Sequence, residues 1–214
     1  MRAIPPTLNE ELTFAAQGYP LVAGLDEVGR GAWAGPVVAA AVVLPLDDPT
    51  LIERLAGVRD SKLMTPQARE AALPLIMDAA LTVGVGMVHV PELDTLGILS
   101  ATREAMLRAL AQLAPTPAAL VLDAVTLPCA LPQRAFPRAD RLCLSVAAAS
   151  VVAKVTRDHL LVEYDNLYPG YGFARHKGYG TAEHAQALQT RGPCAIHRAS
   201  FAPVQAVQLG LGLE

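Results

Sequence analysis

A chain of 214 residues is long enough to bury one core, or one core with a small appendage, and too short for several full-sized domains. Hydrophobic residues at 52% and charged residues at 17% exclude an intrinsically disordered chain. A formal net charge of −3 excludes a broad basic face for indiscriminate nucleic-acid binding and leaves room for a local basic groove.

Met1 to Glu11 carry Pro5, Pro6 and acids where a secretory signal would have a basic segment and an apolar core, so no signal is expected. Leu21 to Leu25 and Pro36 to Leu44 are apolar runs bounded by Gly and Pro, and they predict two buried strands. Gly29, Gly31 and Gly35 lie in the turn between them. The second strand holds the most apolar run, which is too short to span a bilayer, and no membrane partner is expected. Thr65 and Pro66 supply an N-cap and a first-turn proline for a helix that Pro74 should bend or shorten. Leu81 to Val90 predicts a third strand, with His89 a structural residue in it. Gly97 to Leu113 carries Leu99, Met106, Leu110 and Leu113 at helical spacing, and Ala118 to Leu122 is a fourth strand ending at Asp123.

Ser145 to Tyr164 has neither Gly nor Pro, and its alanine-rich first half predicts a helix that packs close to its neighbour. Tyr168 to Gly180 reads as a glycine- and aromatic-rich loop, and Thr181 as the cap of another helix. The tail from Phe201 to Glu214 reads as helical. The order is β-β-α-β-α-β followed by a helical appendage. Three widely spaced cysteines, Cys129, Cys143 and Cys194, form no disulfide framework, so a reducing cytoplasm is expected.

The residues able to carry chemistry stand at strand ends. Asp26 and Glu27 precede Gly29-Arg30-Gly31; adjacent carboxylates in mid-strand point to opposite faces, so both reach one ligand only where the strand twists or ends. Asp123 ends another strand and Asp140 follows in Arg138-Ala-Asp-Arg141. Acids from neighbouring strand ends and a following loop assemble oxygen ligands suited to magnesium or manganese. Each also has a plainer explanation: a solvated turn for Asp26-Glu27, a turn-forming acid for Asp123, a surface ion pair for Asp140. Asp158 competes for the fourth position, with a helix-surface ion pair to Lys154 or Arg157 as its alternative. Lys62 in Asp60-Ser-Lys62 offers a phosphate contact. His176-Lys-Gly-Tyr179 offers a cation and an aromatic for phosphate and sugar or base. Cys194-x-x-His197 lacks the second half of a metal site, and Trp33 reads as a packing anchor.

Taken together, these segments resemble bacterial ribonuclease HII, the type 2 ribonuclease H. The resemblance is carried by Gly24-Leu-Asp-Glu-Val-Gly-Arg-Gly31 with Ala34-Gly-Pro-Val37, by Asp60-Ser-Lys62, by Leu120-Val-Leu-Asp123 and by Ser145-Val-Ala-Ala-Ala-Ser-Val-Val-Ala-Lys-Val-Thr-Arg-Asp158. His176-Lys-Gly-Tyr179 and Ile196-His-Arg198 complete it, in order, over residues 20 to 203. It implies an α/β fold: an RNase H-like mixed β-sheet flanked by helices over residues 1–165, with residues 166–214 a C-terminal loop and helical extension that helps bind substrate. It implies that Asp26, Glu27, Asp123 and Asp140 are the catalytic and metal-binding carboxylates, with Asp158 outside the set. It implies that the Gly29, Arg30 and Gly31 backbone reads ribose 2′-hydroxyls, that Tyr179 senses the RNA-DNA junction and that Lys62 contacts phosphate. Arg138-Ala139 stand where the family usually has Lys-Gly, Ala124 replaces a common glycine, and Ala32-Trp33 replace Pro-Leu.

The activity so implied is endonucleolysis of the RNA strand of RNA-DNA hybrids, and nicking 5′ of single ribonucleotides in duplex DNA, with Mg2+ or Mn2+ in a two-metal mechanism. The partners implied are the hybrid and ribonucleotide-containing duplex DNA, with the protein a monomer by default and its tail a weak contact for a replication partner such as a sliding clamp. Two rivals remain. A ribonuclease HIII-like enzyme would need runs of ribonucleotides, and the chain leaves no room for that family's extra N-terminal domain. A noncatalytic hybrid-binding module would use the same loop, bind without metal and never cut.

Overall fold

The computed structural model describes residues 5–210. Five strands form one mixed sheet in the order β3-β2-β1-β4-β5: β1 (Val22–Val28), β2 (Val37–Val43), β3 (Thr82–Val88), β4 (Ala119–Asp123) and β5 (Gln133–Phe136). β3, β2 and β1 run antiparallel, while β1, β4 and β5 run parallel. The helices are α1 (Asn9–Ala16), α2 (Leu51–Arg54), α3 (Pro66–Ala79), α4 (Val90–Leu96), α5 (Ile98–Ala111), α6 (Ala139–Leu142), α7 (Leu144–Leu167), α8 (Phe173–His176), α9 (Ala182–Arg191) and α10 (Ala202–Gln208). Residues 211–214, the end of the tail pattern, lie outside the described residues.

Every residue of β2, Val-Val-Ala-Ala-Ala-Val-Val, is buried, because helices cover both faces of the sheet. Val38, Ala40 and Val42 face the core shared with α3 and α7; Val37, Ala39, Ala41 and Val43 face that shared with α5. Small residues bring the helices close. A Cβ on Gly24 of β1 would overlap the backbone of Ser145 and Val146 in α7, and a Cβ on Gly84 or Gly86 of β3 would overlap the Ala109 or Ala105 carbonyl of α5. The amino end of α7 is tied down by Glu11 of α1, whose Oε1 accepts from Ser145 N (3.0 Å) and Ser145 Oγ (2.6 Å).

Several expectations are corrected. β1 does not end before the acidic pair but runs through Asp26 and Glu27 to Val28. Pro74 does not shorten its helix: α3 continues to Ala79, held by its Thr65 cap and by burial of Ala72, Ile76 and Ala79. His89 is exposed, one residue past β3, and leads into α4. The loop from Tyr168 to Gly180 contains α8, and β5 is an additional short edge strand.

Candidate active site

Asp26 and Asp123 reach the same end of the sheet through the parallel pairing of β1 and β4, in which Leu25 pairs with Leu122 one residue before each acid. Asp123 Oδ1 accepts from Ala139 N (3.0 Å), which fixes the start of α6 and with it Asp140. Asp140 is 2% exposed, with Lys62 Nζ 3.8 Å from its Oδ2. The surface pair with its neighbouring arginines does not form, because Arg141 Nε turns to Asp60 Oδ2 (3.0 Å). Asp158 takes the alternative foreseen for it, an ion pair with Lys154 (2.6 Å) and with Arg69 (3.7 Å).

The electrostatics register how close these acids lie. Burial lifts the Asp26 carboxyl well above the ordinary range, and the charges of Glu27, Asp123 and Asp140 push it the same way. Glu27 is raised by burial against the pull of Arg30, whose Nη1 lies 3.2 Å from its Oε1. Asp140 is raised to about 6 by burial and by the charges of Asp60 and Asp123. Among the described residues no three carboxylate, imidazole or thiol groups are drawn tightly enough together to hold a metal as they stand. Glu27 Oε2 is buried and has no hydrogen-bond partner among the described residues.

Two loops meet beside Glu27 and form an open cavity of about 550 Å³, lined by Glu27, Arg30, Gly31, Lys62, Ser150 and Tyr179 among others. Gly29 has φ +93°, and a Cβ there would overlap Arg157, so only glycine fits. The N–H groups of Arg30 and Gly31 find no acceptor among the described residues. The C-terminal loops are knitted to this turn: Trp33 N donates to Gly178 O (2.8 Å), and isolated bridges pair Ala32 with Tyr179 and Ala34 with His197. Tyr179 is half-buried, with the Arg157 guanidinium 5.3 Å from its ring centre. Lys62 is exposed, whereas Lys177 turns its Nζ to Ala174 O (2.5 Å) beside a neighbouring cavity. Trp33 packs on His184. Backbone strain sits beside the acids, because Ala124 (φ 56°) and Arg138 (φ 65°) are left-handed where the sequence supplies no glycine.

Residues given no role on sequence grounds hold this arrangement. Arg157 and Arg198 are fully buried, and Ile196-His-Arg198 was the only signal pointing to the second. Burial and the nearby Arg157 charge pull Arg198 down to about 9, which leaves it protonated at neutral pH. Cys194 N donates to His197 Nδ1 (2.9 Å), so His197 Nε2 carries the proton shared with His184 Nε2 (3.1 Å), and His184 Nδ1 donates to Tyr179 O (3.0 Å). The relay requires neutral rings, and burial lowers His184 and His197 to about 4.

Between pH 6.5 and about 4 the unfolded chain therefore binds protons that the folded chain refuses, and these rings lose stability as pH falls, on the order of 3 kcal/mol each. The raised acids act in the opposite direction over the same window, so the expected result is a difference. In urea titrations at pH 7 and pH 4.5, His184→Asn should lose less stability on acidification than the wild type; equal losses would contradict the relay.

The ribonuclease HII family model matches residues 23–204. The ribonuclease HII of Chloroflexus aurantiacus is 51% identical over 207 residues, covering 96% of this chain and 98% of that one, and the ribonuclease HII of Thermus thermophilus is 51% identical over 189 residues, covering 88% and 90%. The crystal structure of the ribonuclease H2 from Pyrococcus horikoshii superposes with a TM-score of 0.74 at 28% identity, covering 89% of this chain and 98% of that one.

Proposed function

The chain belongs to the ribonuclease HII family and is a ribonuclease H, and from that premise we propose that it hydrolyses the RNA strand of RNA-DNA hybrids and nicks duplex DNA on the 5′ side of a single embedded ribonucleotide, leaving 3′-hydroxyl and 5′-phosphate ends. One observation supports the reading: Glu27, next to the buried Asp26, lines a cavity together with two backbone N–H donors, those of Arg30 and Gly31, that have no acceptor among the described residues.

The donor set fits hard divalent cations. Three of its carboxyls are raised by burial, and the buried Glu27 Oε2 lacks a partner that a cation would supply. Asp26, Glu27, Asp123 and Asp140 would hold Mg2+ or Mn2+, two ions in this reading, which when bound supply charge neutralisation and Lewis acidity at the scissile phosphate. Lys62 meets phosphate with its exposed ammonium. The Arg30 and Gly31 N–H groups meet the ribose 2′-hydroxyl, which DNA lacks. Tyr179, reaching the cavity from the C-terminal part of the chain, meets the sugar at the junction. Residues 1–165 form the catalytic part in this account, and residues 166–214 the extension that completes the substrate site.

With Mg2+ or Mn2+ a labelled hybrid should be cut, and with chelator it should stay intact. Cutting undiminished by chelator would overturn the metal assignment, and binding without cutting in either metal would favour the hybrid-binding module. Tyr179→Ala should lose about tenfold more activity at single ribonucleotides than on long hybrids, the scale of one lost stacking contact. Equal losses on the two substrates would contradict its junction role.

The protein is read as a monomer of the cytoplasm. Cys129, Cys143 and Cys194 are free thiols, and no helix among the described residues is long and apolar enough to cross a membrane.

A further inference from the structure

Arg198 is a buried cation with no carboxylate partner among the described residues. Its Nη2 donates to Gly29 O (2.6 Å), its Nη1 to Arg30 O (2.9 Å), and its Nε and Nη2 to Gly35 O (3.0 and 2.9 Å). The peptide whose carbonyl is Gly29 O carries the Arg30 N–H, and the peptide whose carbonyl is Arg30 O carries the Gly31 N–H. A guanidinium bonded to a carbonyl draws charge through the amide and makes its N–H a stronger donor, the more so in a desolvated interior. Arg157 braces the other end of the loop, donating to Pro36 O (2.9 Å), Ala34 O (3.0 Å) and Lys177 O (2.8 Å). Burying a charge without an acid carries a desolvation cost that apolar packing avoids. Here the charge falls on the two peptides whose N–H groups are unpaired on the cavity wall.

We propose that Arg198 is a specificity-determining positioning residue, which fixes and polarises the Arg30 and Gly31 N–H pair so that it distinguishes a ribose from a deoxyribose. The proposal rests on the reading that this loop meets the 2′-hydroxyl.

The test is fluorescence-anisotropy binding in an Asp26→Asn background, using two duplexes that differ only in one ribonucleotide or deoxynucleotide, with thermal melts of each variant. The parent should bind the ribonucleotide duplex about tenfold more tightly. Arg198→Met should bring that preference to about twofold while leaving affinity for the all-DNA duplex nearly unchanged. Arg198→Lys keeps the charge but cannot reach three carbonyls at once, and should retain a preference of about threefold. Equal weakening on both duplexes, the signature of a structural role, would overturn the proposal, as would an undiminished preference in Arg198→Met. If Arg198→Met gives no cooperative melt, Arg198→Lys decides, and a full tenfold preference there overturns it. A parent without any ribose preference would instead overturn the loop reading, and the proposal with it.

Discussion

Asp26→Asn is expected to lower turnover on an RNA-DNA hybrid by a factor of about 10³ or more, the scale of several kcal/mol lost from transition-state stabilisation, while raising the melting temperature of the metal-free protein. Both effects come from one source. The Asp26 carboxyl is 2% exposed, and burial, with the charges of Glu27, Asp123 and Asp140 beside it, holds its folded-state pKa well above the ordinary value. The native state therefore carries a penalty that is full above that raised value, shrinks as pH falls below it, and vanishes below the ordinary carboxylate value. A neutral amide removes the penalty and also removes a ligand oxygen. Added Mg2+ should accordingly raise the melting temperature of the wild type more than that of the variant. Hybrid binding should be largely spared, since Lys62 and the Arg30–Gly31 donors are untouched. Turnover within about tenfold of wild type, or a lower melting temperature without metal, would contradict the account.

Gly24→Ala should be a strongly destabilising small substitution in the core. Its added Cβ would overlap backbone atoms of Ser145 and Val146, and a helix backbone cannot swing aside as a long side chain can. A cost of about 3 kcal/mol is expected, or a fall in melting temperature of roughly 6–12 °C for a domain of this size. Activity below the melting point should fall too, because α7 carries Ser150 beside Asp26 and Arg157 beneath Gly29. Differential scanning fluorimetry decides the first part: a melting temperature within about 1 °C of wild type would show that α7 does not lie against β1 as closely as described.

Four of the five strands are legible in the sequence because each is an apolar run bounded by Gly or Pro. β5 is not, since Gln133-Arg-Ala-Phe136 is short, mostly polar and only partly buried at the sheet edge, and its place is set by pairing with β4. The helix through Pro74 was underestimated because packing of Ala72 and Ile76 outweighs one lost backbone bond. Around the acids, the sequence places Asp26, Glu27 and Asp123 near strand ends. It does not show that Asp140 is buried, nor that Arg141 turns away from it to Asp60, 81 residues away along the chain. Arg157 and Arg198 look like surface charges in one dimension. Their carbonyl partners at Pro36 and Gly29 lie 121 and 169 residues away, a relation no local pattern records.

The central claim is that the carboxylates and the glycine loop act together on one ribonucleotide, and its most direct test is to map cleavage of a labelled DNA duplex containing a single ribonucleotide, with Mg2+ or Mn2+, with chelator and with Asp26→Asn. The account predicts one metal-dependent nick on the 5′ side of the ribonucleotide, absent with chelator and in the variant. Cutting confined to runs of ribonucleotides, with the single-ribonucleotide duplex left whole, would contradict it.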